Sequence, residues 1–235
     1  MFESSKSKIV VALDFPTLQL AENFVQQLHP DLCKLKIGKE LFAVGGATFV
    51  EKCIKLGFDV FLDLKYHDIP NTVAKACEAA AKMGVWMVNV HAMGGRKMMV
   101  AAKQAIENSD HQPIIIAVTV LTSMEQTDLT EIGMSGSPKE NVIRLAKLAH
   151  DSGMDGVVCS AQEAGLIRQE VGLDFCLVTP GIRPEGSAVN DQKRIMTPVE
   201  ALKVGVSYLV IGRPITQSSN PIETLKQINL QIKGI

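Results

Sequence analysis

The chain has 235 residues, room for one large domain or two small ones, and its 24 Lys and Arg stand against 25 Asp and Glu for a formal net charge of −1. Nothing in that balance suggests nucleic acid or an anionic membrane surface as a partner, and 46% apolar with 21% charged residues is the make-up of a soluble globular protein. Five cysteines, at positions 33, 53, 77, 159 and 176, are odd in number and lack any CxxC spacing, which argues against a disulfide framework and a zinc site and for a reducing, cytoplasmic setting.

The first apolar run, 9–13, is stopped by Asp14 and is too short for a signal-peptide core, so no export is expected. Helical periodicity follows over 18–28, then a strand over 32–37 carrying Lys34 and Lys36, then a helix over 40–56. A third strand, 60–64, runs into Asp63-Leu64-Lys65-Tyr66-His67-Asp68-Ile69-Pro70-Asn71-Thr72 and a helix over 72–83. The alternation continues with strands at 87–90, 114–120, 156–160, 175–179 and 208–211 and helices at 96–107, 139–152, 161–170, 198–204 and 222–232. Gly57, Gly84, Gly153 and Gly205 stand between a helix and the next strand, where a left-handed residue ends the helix. The longest apolar stretch, 114–121, is far short of a membrane span.

Eight βα units with no Pro/Ser-rich linker predict a single α/β domain over 1–235, a closed (β/α)8 TIM barrel, with an open doubly wound sheet as the alternative. Polar or charged residues sit where nearly every strand ends: Asp14, Lys36, Asp63, Lys65, Asn89, His91, Thr119, Thr122, Ser160, Thr179 and Arg213. In a barrel all of these meet at one mouth, whereas an open sheet gathers only those at its switch point. Asn89 and His91 read as satisfied rim or core polar groups rather than ligands.

Asp63 and Lys65, two apart on a strand, look the same way. The pair reads equally as a structural salt bridge and as a reactive couple. After the last strand, Gly212 offers a turn without a side chain and Arg213 a guanidinium, a combination suited to a phosphate at the place where barrels often hold one. The segment 179–192, long, polar and rich in Gly and Pro, reads either as a lid whose Arg183 and Gln192 close on the same phosphate or as a disordered surface loop, and composition alone does not choose between them.

Taken together, Val11-Ala12-Leu13-Asp14, Lys34-Leu35-Lys36-Ile37-Gly38, the Asp63–Thr72 element, Val120-Leu121-Thr122-Ser123, Thr179-Pro180-Gly181-Ile182-Arg183 and Ile211-Gly212-Arg213 resemble the bacterial type of the orotidine 5′-phosphate decarboxylase family. The DxKxxD core alone is shared with related sugar-phosphate enzymes, and the IPNT, TPGIR and GR segments make the likeness specific. The resemblance implies loss of CO2 from orotidine 5′-phosphate to give UMP, without metal or organic cofactor. It implies Lys65 as proton donor, with Asp63, Asp68 and Lys36 completing the catalytic charges. It further implies that Asp14 and Lys36 hold the ribose, that Thr122 and Ser123 face the pyrimidine, and that Pro180, Arg183, Gln192, Gly212 and Arg213 line the substrate and grip its phosphate. Asp68, Ile69 and Thr72 would reach the site from the other subunit of a homodimer.

Three rival readings stay open. A Schiff-base aldolase needs a neutral amine at Lys65, which carboxylates at 63 and 68 disfavour. A Mg²⁺-dependent sugar-phosphate enzyme would lose turnover to a chelator. A phosphate-ligand sensor would bind without turnover.

Overall fold

The computed structural model describes residues 7–184 and 196–235, and in them eight parallel strands close into a barrel in chain order. The strands are β1 Ile9–Ala12, β2 Lys34–Gly38, β3 Val60–Tyr66, β4 Met87–His91, β5 Ile114–Val118, β6 Gly156–Val158, β7 Cys176–Thr179 and β8 Tyr208–Ile211. Closure comes from β1 pairing with both β2 and β8, Val10 standing against Lys34 on one side and Val210 on the other. The open-sheet alternative is thereby excluded.

The helices are α1 Leu18–Val25, α2 Lys39–Lys55, α3 Pro70–Lys82, α4 Gly95–Glu107, α5 Gln126–Glu131, α6 Pro138–His150, α7 Ala161–Val171, α8 Pro198–Lys203, α9 Arg213–Thr216 and α10 Pro221–Gln231. Local chemistry sets their starts. Ser137 with Glu140, Ser160 with Glu163 and Thr197 with Glu200 form reciprocal capping boxes at α6, α7 and α8. Three helices differ from expectation. The 40–56 helix is broken at Gly46, whose φ of 56° lies outside helical space, and the short α5 and α9 carry too few turns for a periodic signal.

Alternation along the strands divides the apolar residues between two cores. Val11, Leu35, Leu62, Val88, Ala117, Val157, Leu177 and Leu209 pack outward against the helices, while Val10, Ala12, Phe61, Met87, Ile116, Val178 and Val210 fill the barrel itself. At the N-terminal ends of the strands the barrel is closed by a buried charge. Lys34 is 1% exposed, bonds Asp59 Oδ2 through its Nζ at 2.6 Å and lies 4.5 Å from the centre of the Trp86 ring. A buried lysine is tolerable because it is paired and faces aromatic π-density. Lys34→Ala should cost about 3 kcal/mol of unfolding free energy by chemical denaturation, since it removes the buried ion pair with Asp59 and opens a cavity.

Candidate active site

At the C-terminal ends of the strands the barrel opens on a cavity of about 670 Å³, a volume that suits a nucleotide-sized ligand. Strands β1 to β3 bring Asp14, Lys36, Asp63 and Lys65 to one side of it. Thr122, Pro180, Arg183, Gly212 and Arg213 line the remainder above an apolar floor that includes Phe61, Val178 and Val210. The inward row of each strand explains the convergence: Asp14 continues the row of Val10 and Ala12, Lys36 that of Lys34, and Asp63 that of Phe61.

The four charges alternate in sign. Lys65 Nζ donates to Asp63 Oδ1 at 2.6 Å, Lys36 Nζ lies 3.3 Å from Asp63 Oδ2, and the same Nζ lies 3.5 Å from Asp14 Oδ1. Burial works to raise the Asp63 carboxyl, but the charges of Lys36 and Lys65 and hydrogen bonds from Lys65 and Asn89 outweigh it and hold its pKa below the ordinary carboxylate range. The linkage follows from that direction. The contribution of Asp63 to stability is fully present above the unfolded aspartate value and is lost as pH falls through the depressed one.

Asp63 and Lys65 meet as the sequence suggests, but regular alternation is not the reason. β3 extends past the expected end at 64 to Tyr66, and its pairing with β4 slips from Leu62 against Val88 to Tyr66 against Val90. Lys65 takes φ of 53°, the one non-glycine residue with positive φ among the described residues. Such a conformation costs on the order of 1 kcal/mol or more in an L-residue and persists where surrounding structure imposes it.

Arg183 and Arg213 form a second pole. Arg183 is 6% exposed, its Nη1 donates to the Ile182 carbonyl at 3.0 Å, and its buried Nε has no hydrogen-bond partner among the described residues. Burial, and then the neighbouring Arg213 charge, push the Arg183 guanidinium below its ordinary pKa. Two adjacent cations with an unsatisfied donor make a seat for an anion.

Not every expected residue reaches the cavity. Thr122 lines it whereas its exposed neighbour Ser123 does not, and Asp68, Ile69 and Thr72 lie exposed on the β3–α3 connection and first turn of α3, outside it. Gln192, with the 185–192 part of the expected lid, falls outside the described residues. The expectation that all strand-end polar groups share the mouth is corrected at five positions, one of them Asn89, which is fully buried and bonded to Asp63 and to the Lys65 backbone. Thr119 bonds the Val158 carbonyl, Thr179 sits beside Cys159, Ser160 caps α7, and His91 packs against His67 in a tilted arrangement with ring centres 5.5 Å apart. Burial and then the nearby His67, Lys39 and Lys65 charges lower His91 to about 4, so it is neutral at pH 7. Thr119 and Thr179 follow inward-facing Val118 and Val178, so alternation turns them away. Phe15, Pro16, Thr216 and Gln217 also line the cavity, and no motif pointed to them. Among the described residues no three His, Cys, Asp or Glu side chains are grouped to hold a metal ion.

Comparison with known proteins decides among the barrel enzymes this geometry suits. The model of the orotidine 5'-phosphate decarboxylase / HUMPS family matches residues 7–228. The chain belongs to that family. Orotidine 5'-phosphate decarboxylase of Hydrogenovibrio crunogenus is 68% identical over 225 residues, covering 96% of this chain and 95% of the relative. The Pseudoalteromonas translucida protein of the same name is 61% identical over 233 residues, 99% of both chains. The crystal structure of orotidine 5'-phosphate decarboxylase from Lactobacillus acidophilus is 37% identical and superposes with a TM-score of 0.87 over 96% of this chain and 99% of that one. Such likeness to decarboxylases over the full length makes this member of the orotidine 5'-phosphate decarboxylase / HUMPS family an enzyme of the carboxy-lyase class.

Proposed function

We propose that this enzyme converts orotidine 5′-phosphate to UMP and CO2, with Lys65 stabilising and then protonating C6 of the pyrimidine. The observation that carries the reading is the alternating Asp14, Lys36, Asp63, Lys65 array in a cavity whose other pole is a pair of arginines. When the C6–carboxylate bond breaks, its electron pair stays on C6 in the ring plane, poorly delocalised. An ammonium fixed beside that carbon lowers the energy of the developing charge and gives it a proton, after which neutral Lys65 recovers a proton from solvent. Asp63, buried and ionised, sets a negative charge against the substrate carboxylate in the ground state and relinquishes nothing in the transition state. Lys36 and Asp14 offer a donor and an acceptor to the ribose hydroxyls. The formally neutral array lets four charges share one site.

Arg183 and Arg213, with Gly212 and Pro180 beside them and Gln192 from the segment beyond, take the phosphate, and Thr122 faces the base. Binding energy gathered at the phosphate holds the reacting carbon against Lys65. Arg213→Ala should therefore raise KM and the Kd for UMP by roughly 10- to 100-fold, the worth of a charge-assisted contact, with a smaller effect on kcat.

A homodimer completes the site, with Asp68, Ile69 and Thr72 entering from the partner. Ile69 is 67% exposed directly after an acidic residue that its own cavity does not use, which supports a covered position in the assembly. All five cysteines carry free thiols and no described helix is long and apolar enough to cross a membrane, which supports a cytoplasmic enzyme.

The reading is tested by following orotidine 5′-phosphate spectrophotometrically with the metal-stripped protein in excess chelator. Loss of substrate absorbance with stoichiometric CO2 is expected. Unchanged substrate, turnover that requires added Mg²⁺, or trapping of substrate on Lys65 by borohydride would each overturn it.

A further inference from the structure

The register slip between β3 and β4 leaves Asp63, Leu64 and Lys65 opposite one residue, Asn89. Backbone pairing cannot be regular across such a bulge, and the Asn89 side chain takes its place. Its Oδ1 accepts the Lys65 backbone N–H at 2.8 Å while its Nδ2 donates to Asp63 Oδ1 at 2.7 Å, the same oxygen that receives Lys65 Nζ. The reversed amide would set oxygen against carboxylate and NH2 against N–H, so its neighbours dictate its orientation. Asn89 is fully buried, so both bonds are shielded from bulk water.

We infer that Asn89 is a positioning residue for the decarboxylation: one carboxamide holds Lys65 in its left-handed backbone conformation and aims Asp63, thereby fixing where the Lys65 ammonium points. An aspartate at 89 would add a charge beside Asp63. A leucine would fill the space but leave an amide N–H and a carboxylate oxygen each short of a partner. A residue of this shape with one acceptor and one donor satisfies both neighbours at once. Asn89 itself touches no substrate; it acts through Lys65 and Asp63, and in this the inference rests on the function proposed above.

The test compares the parent with Asn89→Ala at a temperature where both are folded, counting active sites by UMP titration. Per site, kcat should fall by roughly 100-fold, the effect of an ångström-scale misplacement of a reacting group, while the Kd for UMP stays within about threefold because the phosphate contacts lie on other strands. A crystal structure of the variant should show Lys65 out of the positive-φ region. Loss of thermal stability with kcat per site within threefold of the parent, or Lys65 unmoved in the crystal, would overturn the inference. Should Asn89→Ala not fold, Asn89→Ser is read the same way, its hydroxyl being too short to bridge both partners. A parent that releases no CO2 would sink the decarboxylase reading instead, and the position of Lys65 in the variant crystal would still judge Asn89.

Discussion

Lys65→Ala should lower kcat by at least about 10⁴-fold while leaving the Kd for UMP within a few-fold of the parent. Two separable effects multiply: loss of a fixed cation beside developing charge, worth roughly 10²–10³, and loss of the proton donor, worth roughly 10²–10⁴. Neither touches the arginine pole, where Arg183 and Arg213 lie on segments after β7 and β8. A variant that keeps more than a few per cent of turnover would remove Lys65 from the chemistry. The same position carries a stability signature. Lys65→Gly and Lys65→Ala both lack the ammonium, and differ in how readily they accept φ of 53°, so the glycine variant should be the more stable by about 1 kcal/mol in denaturant titrations.

Much of this arrangement is legible from residues alone, for a reason that also marks the limit. Eight apolar runs separated by amphipathic segments leave two main topologies, an open doubly wound sheet and a closed barrel, and polar residues at nearly every strand end favour the barrel, whose strands all open on one mouth. Lys36, Asp63 and Arg213 stand out because charge at the end of an apolar strand has a cost that something must offset, and Arg183 because it sits in a long polar Gly- and Pro-rich segment. What stays hidden is tertiary. The two extra residues in β3 change neither composition nor hydrophobic period, so the left-handed Lys65 and its dependence on Asn89 from the next strand leave no local trace. Thr119 and Thr179 mislead for the opposite reason: position at a strand end suggests the mouth, while the period of two sends their side chains outward. Thr216 and Gln217, on and just after a single helical turn, reach the cavity with no pattern to announce them.

Mixing inactive Lys65→Ala with inactive Asp68→Ala should restore about a quarter of the parent activity once subunits have exchanged, as a two-fold symmetric dimer requires. Each site in the proposed dimer draws Lys65 from one chain and Asp68 from the other. In a hybrid dimer one site then carries both lesions and the other carries none. Random pairing of equal amounts makes about half the dimers hybrid, and half of their sites native. The geometry within one chain motivates the experiment. Asp68 lies outside the cavity that holds Lys65 and uses its Oδ1 to accept the Ile69 backbone N–H at 2.6 Å, which stiffens the turn that presents it to solvent. A carboxylate serving its own chain's site would have to leave that bond and turn inward. Activity is read after co-incubation, with exchange proved by mass spectrometry of isotopically labelled subunits. Proven exchange without recovery would confine the chemistry to one chain and remove Asp68, Ile69 and Thr72 from the site.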